Sequence, residues 1–148
     1  MTTRFHYRVR AVVFNNGELL VAQVKSALNT FLPGGHVENG ESAPIALVRE
    51  FQEELGISST VKSFLGVIEN SWMQDDVLQH EINLIFAVDA TDLSRNNVVV
   101  SKEPHLDFFW LKPEEFESKN LLPIPVRGLI LQWAKGEGSA WWGSTIKT

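Results

Sequence analysis

The sequence predicts an α/β domain in which a mixed β-sheet is layered against helices. Three observations carry this. Residues 42–55 have the caps and spacing of a helix, long β-rich segments lie on both sides of it, and a second amphipathic segment occupies 125–135. Strands around one central helix, with another helix at the end, suit a layered domain.

Residues 5–14 (FHYRVRAVVF) are β-rich, with Arg8 and Arg10 alternating against Val9 and Ala11. Asn15-Asn16-Gly17 is a turn signal, so residues 18–25 read as the returning strand of a hairpin. Phe31-Leu32-Pro33-Gly34-Gly35 ends a short extended piece, because proline biases its predecessor away from helix and the glycines permit a sharp turn. Ser42 can cap the helix that follows, Pro44 fits its first turn and Gly56 is placed to stop it. Residues 61–72 and 77–89 read as two long strands around a polar link, and Asp107–Leu111 (DFFWL) as a short one. Residues 113–118 can start a small helix, and 125–135 (PVRGLILQWAK) form the final one. Residues 1–136 are expected to make a single domain, and the Gly- and Ser-rich stretch 137–148 a flexible C-terminal tail.

The chain of 148 residues is near the common domain size and can bury a core without staples. It has no cysteine, which excludes disulfides, thiolate metal sites and cysteine nucleophiles. No apolar run is long enough to span a membrane and the N-terminus lacks a secretory pattern, so a cytoplasmic address with no membrane partner is expected. A formal charge of −5 argues against a broad nucleic-acid surface, but not against a small phosphorylated ligand that a metal can neutralise.

On a helix turning about 100° per residue, Glu50, Glu53 and Glu54 share one sector. Pro44, Val48, Phe51 and Leu55 are expected to form the buried stripe on the opposite side. Three carboxylates on one face repel each other and need a compensating cation. Arg49, one turn before Glu53, can hold that carboxylate and leave Glu50 and Glu54 free. A hard divalent ion, Mg²⁺ or alternatively Mn²⁺, takes oxygen ligands of this kind.

From Gly35 the chain fits G-x5-E-x7-R-E-U-x-E-E-x-G-U, with U apolar, at Gly35, Glu41, Arg49, Glu50, Phe51, Glu53, Glu54, Gly56 and Ile57. The seven identities would coincide by chance roughly once in 10⁸ starting positions at average residue frequencies. The segment resembles the signature box of the Nudix hydrolases, MutT-like enzymes that cleave a nucleoside diphosphate linked to another moiety. The resemblance implies an α/β/α sandwich with the box as loop–helix–loop. It also implies a metal site of the Gly35 carbonyl, Glu50, Glu53 and Glu54, with Glu41, Arg49 and Gly56 supporting the box. Either Glu50 or Glu54 can activate the attacking water. Some family members use a glutamate in a loop before a late strand, a place Glu103 occupies here.

Around the box, Arg8 is a candidate phosphate contact, as are Arg4 and Arg10, with a solvated sheet face as the alternative. Phe31, Trp72 and Phe109 are candidates for stacking on a base. His80-Glu81 lacks the second histidine of a helical zinc motif; Glu81 faces either solvent or metal-bound phosphates. Trp141-Trp142 suggests a dimer contact or folding back onto the domain, so monomer and homodimer both stay open.

Several subfamilies carry a tyrosine or a proline fifteen to eighteen residues beyond the box, and residues 71–75 (SWMQD) have neither. Isopentenyl diphosphate isomerase, which shares the fold, relies on a cysteine. By elimination the resemblance implies a nucleoside triphosphate, intact or damaged, cleaved to monophosphate and pyrophosphate. The alternatives are a nucleotide sugar or other diphosphate conjugate, and a non-catalytic nucleotide-binding sensor.

Overall fold

A computed structural model describes residues 2–93 and 99–147. Its strands and helices run β1 (Thr2–Val12), β2 (Phe14–Asn15), β3 (Glu18–Val24), β4 (Gly34–His36), α1 (Ala43–Leu55), β5 (Thr60–Gln74), β6 (Val77–Asp89), β7 (Leu106–Leu111), α2 (Pro125–Ala134) and β8 (Trp141–Ser144). Five strands form a mixed sheet in the order β4-β1-β6-β5-β8, and β2-β3-β7 form a smaller one. β1 and β6 run parallel, β5 and β6 antiparallel. The turn between β5 and β6 is two residues, Asp75 and Asp76, both at positive φ as a tight hairpin turn requires.

Two apolar clusters lie on opposite faces of the sheets. Ala46, Leu47, Phe51 and Leu55 of α1 share one with Val9, Ala11, Leu20, Ala22 and Phe108. Val126 and Ile130 of α2 share the other with Val12, Val21, Ile68, Ile85 and Trp141. Alternation along β3 sends Leu20 and Ala22 one way and Leu19 and Val21 the other. This is an α/β fold with mixed sheets between helices, as expected. Among the described residues, no helix is long and apolar enough to cross a membrane.

Three expectations are corrected. Residues 5–14 and 18–25 are not hairpin partners along their length. Only Phe14–Asn15 pairs with β3, through the Asn16-Gly17 turn, and β1 pairs with β4 and β6 in the other sheet. β1 carries apolar side chains on both faces, and a central position in the larger sheet covers both. Second, the buried stripe of α1 is Ala43, Ala46, Leu47, Phe51 and Leu55, while Pro44 and Val48 are exposed. At about 100° per residue, Glu50 and Glu54 therefore fall inside the buried arc and not opposite it. Third, the tail is not wholly loose. Trp141–Ser144 add a parallel edge strand beside Gly66–Glu69. The Trp141 side chain is buried where Gly66 leaves no room for a Cβ of its own.

Candidate active site

The site begins at the ends of α1. Ser42 Oγ accepts from the Ile45 amide at 3.4 Å and fixes the N-terminus. Gly56 takes the left-handed conformation, φ 68°, and its amide donates to Gln52 O at 2.9 Å, closing the C-terminus. Between these caps, Arg49 braces the loop that precedes the helix. It grips Glu41 with two bonds of 2.8 Å, Nε to Oε2 and Nη2 to Oε1, and donates from Nη2 to His36 O at 3.1 Å. Glu41 in turn accepts from the Glu38 amide at 3.0 Å. Hydrogen bonds from Arg49 hold the Glu41 carboxyl down at about 2, helped by the Glu38 amide. Hydrogen bonding to Glu41 raises the Arg49 guanidinium, so this fork stays charged at any working pH.

The same guanidinium reaches two box carboxylates, Glu50 Oε1 at 3.1 Å and Glu53 Oε2 at 3.2 Å. Their surroundings differ sharply. The Glu53 side chain is 54% exposed and turns toward solvent, whereas that of Glu50 is only 13% exposed. Glu50 packs flat on Gly35, where an added Cβ would lie 2.5 Å from the carboxylate carbon. Only glycine lets backbone and carboxylate approach this closely. Glu54 shares a hydrogen bond with Glu50, one helical turn before it. Burial pushes the Glu54 carboxyl up to about 8; the bond to Glu50 and the charges of Glu50 and Glu103 act in the same direction, and Arg10 opposes them. The half-buried Glu54 carboxyl therefore keeps its proton at neutral pH, hydrogen-bonded to Glu50.

Glu103 comes close because its loop is tied to the helix. The Lys102 amide donates to Glu54 O at 2.7 Å, and Ser101 Oγ bonds the Glu103 amide and carbonyl at 3.0 and 2.9 Å. Among the described residues, no three Asp, Glu or His side chains already converge as a finished metal cluster. The structure brings together Gly35, Glu50 and Glu54 with Glu103 nearby; Glu53, which the box resemblance groups with them, stands at the rim on Arg49.

A cleft of about 730 Å³ opens on the α2 side of the larger sheet, and Gly35, Glu50, Glu54 and Glu103 are not among its lining residues. Of the side chains named from sequence as candidate substrate contacts, Arg8, Arg10, Phe31, Trp72 and Glu81 line it. Arg10 lies between the cleft and the carboxylates. It donates to Leu32 O at 3.1 Å and Asn83 Oδ1 at 3.4 Å and sits 5.3 Å over the Phe31 ring. Burial, then the charge of Arg8, lowers its guanidinium to about 10, and Glu81, Glu54 and Glu50 oppose the fall. Arg4 is exposed, and Phe109 packs beside the α2 core instead of facing the cleft.

Sequence reasoning passed over the polar floor of the cleft. Asn70 and Asn83 both donate to Glu81 Oε1, at 3.2 and 3.0 Å, and Thr145 Oγ1 donates to Asn70 Oδ1 at 2.6 Å. A signal was there: Gln79, Glu81 and Asn83 alternate along β6 and are all buried, ahead of Ile85 on the same face. Polar residues on the inward face of a strand mark a wet or ligand-facing floor. At the mouth, His6 Nε2 donates to Gln79 Oε1 at 2.6 Å, and its ring stacks with Trp72 at 6.1 Å.

Together, the layered α/β fold, the glutamate helix braced by Arg49 and the cleft lined by Arg8 and Arg10 define the class of domain. The NUDIX domain profile matches residues 4–133, and the chain belongs to that family. Nucleoside triphosphatase NudI of Escherichia fergusonii is 30% identical over 123 residues, 74% of this chain and 84% of that protein. ADP-ribose pyrophosphatase of Methanocaldococcus jannaschii is 45% identical over 59 residues, 40% of this chain but only 34% of that protein's length. The crystal structure of UDP-X diphosphatase matches with a TM-score of 0.72 at 18% identity, covering 95% of this chain and 67% of that one, a likeness of fold alone.

Proposed function

We propose that the protein is a divalent-metal-dependent pyrophosphohydrolase acting on a nucleoside triphosphate, releasing monophosphate and pyrophosphate. The observation that carries this is the half-buried, hydrogen-bonded Glu50–Glu54 pair, with Glu50 packed against Gly35. Two carboxyls sharing a proton in a desolvated pocket are a costly arrangement for a helix face, and a hard cation is the natural replacement for that proton. The donor set fits such an ion: the carboxylates of Glu50 and Glu54, with Gly35 against Glu50, its carbonyl the ligand the box resemblance implies, and Glu53 as the outlying member. Bound there, Mg²⁺ or Mn²⁺ would neutralise phosphate oxygens and acidify a water.

The chain's own side chains supply the rest. Arg10, fixed by Leu32 and Asn83, carries a charge between the carboxylates and the cleft, where it can steady a phosphate chain. Arg8 carries a second guanidinium in the cleft wall, paired with Glu81. Arg49 does not line the arginine-bearing cleft and acts through Glu41, Glu50 and the loop, as a positioning residue. The proton of the attacking water passes to one of Glu50, Glu54 and Glu103, the carboxyls whose charges act on one another.

The family and the relation to NudI support a nucleotide substrate. The short, stronger similarity to an ADP-ribose pyrophosphatase supports a second reading, a diphosphate conjugate. A panel of nucleoside triphosphates, 8-oxo-dGTP, ADP-ribose and UDP-sugars with Mg²⁺ separates them by product. Pyrophosphate from a triphosphate, abolished by chelator, is the expected result. Two monophosphates from a conjugate would replace the first reading by the second, and turnover unaffected by chelator would overturn both.

A further inference from the structure

Glu81 is an unusual group to find on this floor. Its side chain is 7% exposed, and Oε1 is fully engaged by the amides of Asn70 and Asn83. Oε2 is buried and accepts no hydrogen bond, and the nearest cation atom, Arg8 Nε, is 3.4 Å away and likewise donates none. The two form an ion pair whose geometry makes no hydrogen bond, so an acceptor and a donor stand side by side in the wall of the cleft with that capacity unused. Such orphaned buried groups are disfavoured unless something completes them. Phosphate is a poor candidate for Oε2, because one anion repels another. The side chain of Arg8 makes no hydrogen bond among the described residues, so its 3.4 Å ion pair with Glu81 is what a shift aside gives up.

We propose that Glu81 and Arg8 form a base-reading pair. Glu81 Oε2 accepts an N–H from the edge of a nucleobase, and Arg8 donates to the ring acceptor or carbonyl beside that N–H. The chemistry required of the ligand is a heterocycle with a donor next to an acceptor on one edge, which the polyphosphate chain alone lacks. Glu81 thereby confers specificity for the base, while Arg10 and the carboxylate pair address the phosphates. This rests on the nucleotide reading above and adds to it the groups that recognise the base.

Asn70 and Asn83 make the test sharp. Both present N–H groups to Oε1, so in Glu81→Gln they hold the amide oxygen in that position and leave its NH₂ where Oε2 was. The substitution turns an acceptor into a donor in place. The experiment is calorimetric titration of the four nucleoside 5′-monophosphates and of inorganic tripolyphosphate into the wild-type protein and the variant. We expect the tightest-bound monophosphate to lose at least about tenfold in affinity, with tripolyphosphate binding unchanged. Glu81→Asp, which keeps the charge but withdraws the oxygen, should lose nucleotide affinity too. Equal losses for monophosphate and tripolyphosphate would make Glu81 only a support for Arg8, and no loss in either variant would also overturn the proposal. Because binding is read without turnover, failure to cleave triphosphates would count against the hydrolase reading alone.

Discussion

Burying Glu54 beside Glu50 makes the metal-free protein sensitive to pH in a defined direction. The folded carboxyl holds its proton up to about 8, against an ordinary value of 4.5. Between those limits the folded chain binds a proton that the unfolded chain has released. The stabilisation is therefore complete below the ordinary value and is lost as pH rises toward 8. Thermal unfolding in chelator should show the midpoint falling from pH 5 to 8, and Glu54→Gln, which cannot ionise, should flatten that slope. A midpoint indifferent to the substitution would mean the carboxyl is not desolvated. Glu41 runs the opposite way: held at about 2 by Arg49, it favours folding above the ordinary range and loses that contribution in acid. At this scale the box spacing made the chemistry legible, since it names which residues gather. It did not show that Glu53 parts from Glu50 and Glu54, because that depends on which side of the helix the sheet covers.

At the scale of elements, α1 shows why. Apolar residues at 44, 48, 51 and 55 make a plausible stripe on paper, yet the packed face is built on Ala43, Ala46 and Leu47 as well. Small alanines let the helix sit close to the sheet, and Gly35, having no Cβ, leaves room for the Glu50 carboxylate. Periodicity counts large apolar residues and misses this. β8 offers a second case. A Gly- and Ser-rich segment gives no local reason to form a strand, and its pairing with β5 depends on a contact 75 residues away in sequence, between Gly66 and Trp141. Trp141→Ala should cost about 3–5 kcal/mol in denaturant unfolding, the usual range for a buried tryptophan. A loss below ~1 kcal/mol would return the tail to a loose appendage. Trp142 is 70% exposed, with its indole donating to Glu69 Oε1 at 3.0 Å, so its neighbour alone is the anchor.

Across the whole molecule, the parts divide the work by face. α1 and the loops before and after it assemble the carboxyls; the α2 side of the larger sheet supplies the cleft; Arg10 stands where the two meet. The layering was readable from element order, since strands around a central helix leave few alternatives. The cleft was not, because its floor combines β1, β5 and β6 with Thr145 from the far end of the chain, and such register is set by long-range pairing. The central claim is that the Glu50–Glu54 pair exists to hold a divalent cation. Its most direct test is a Mn²⁺ titration without substrate, followed by the electron paramagnetic resonance of the free ion, at several pH values. The account predicts binding that strengthens from pH 6 to about 8, as the shared proton is displaced, and that weakens at least about tenfold in Glu50→Gln and Glu54→Gln. Wild-type affinity in both variants, with no dependence on pH, would contradict it.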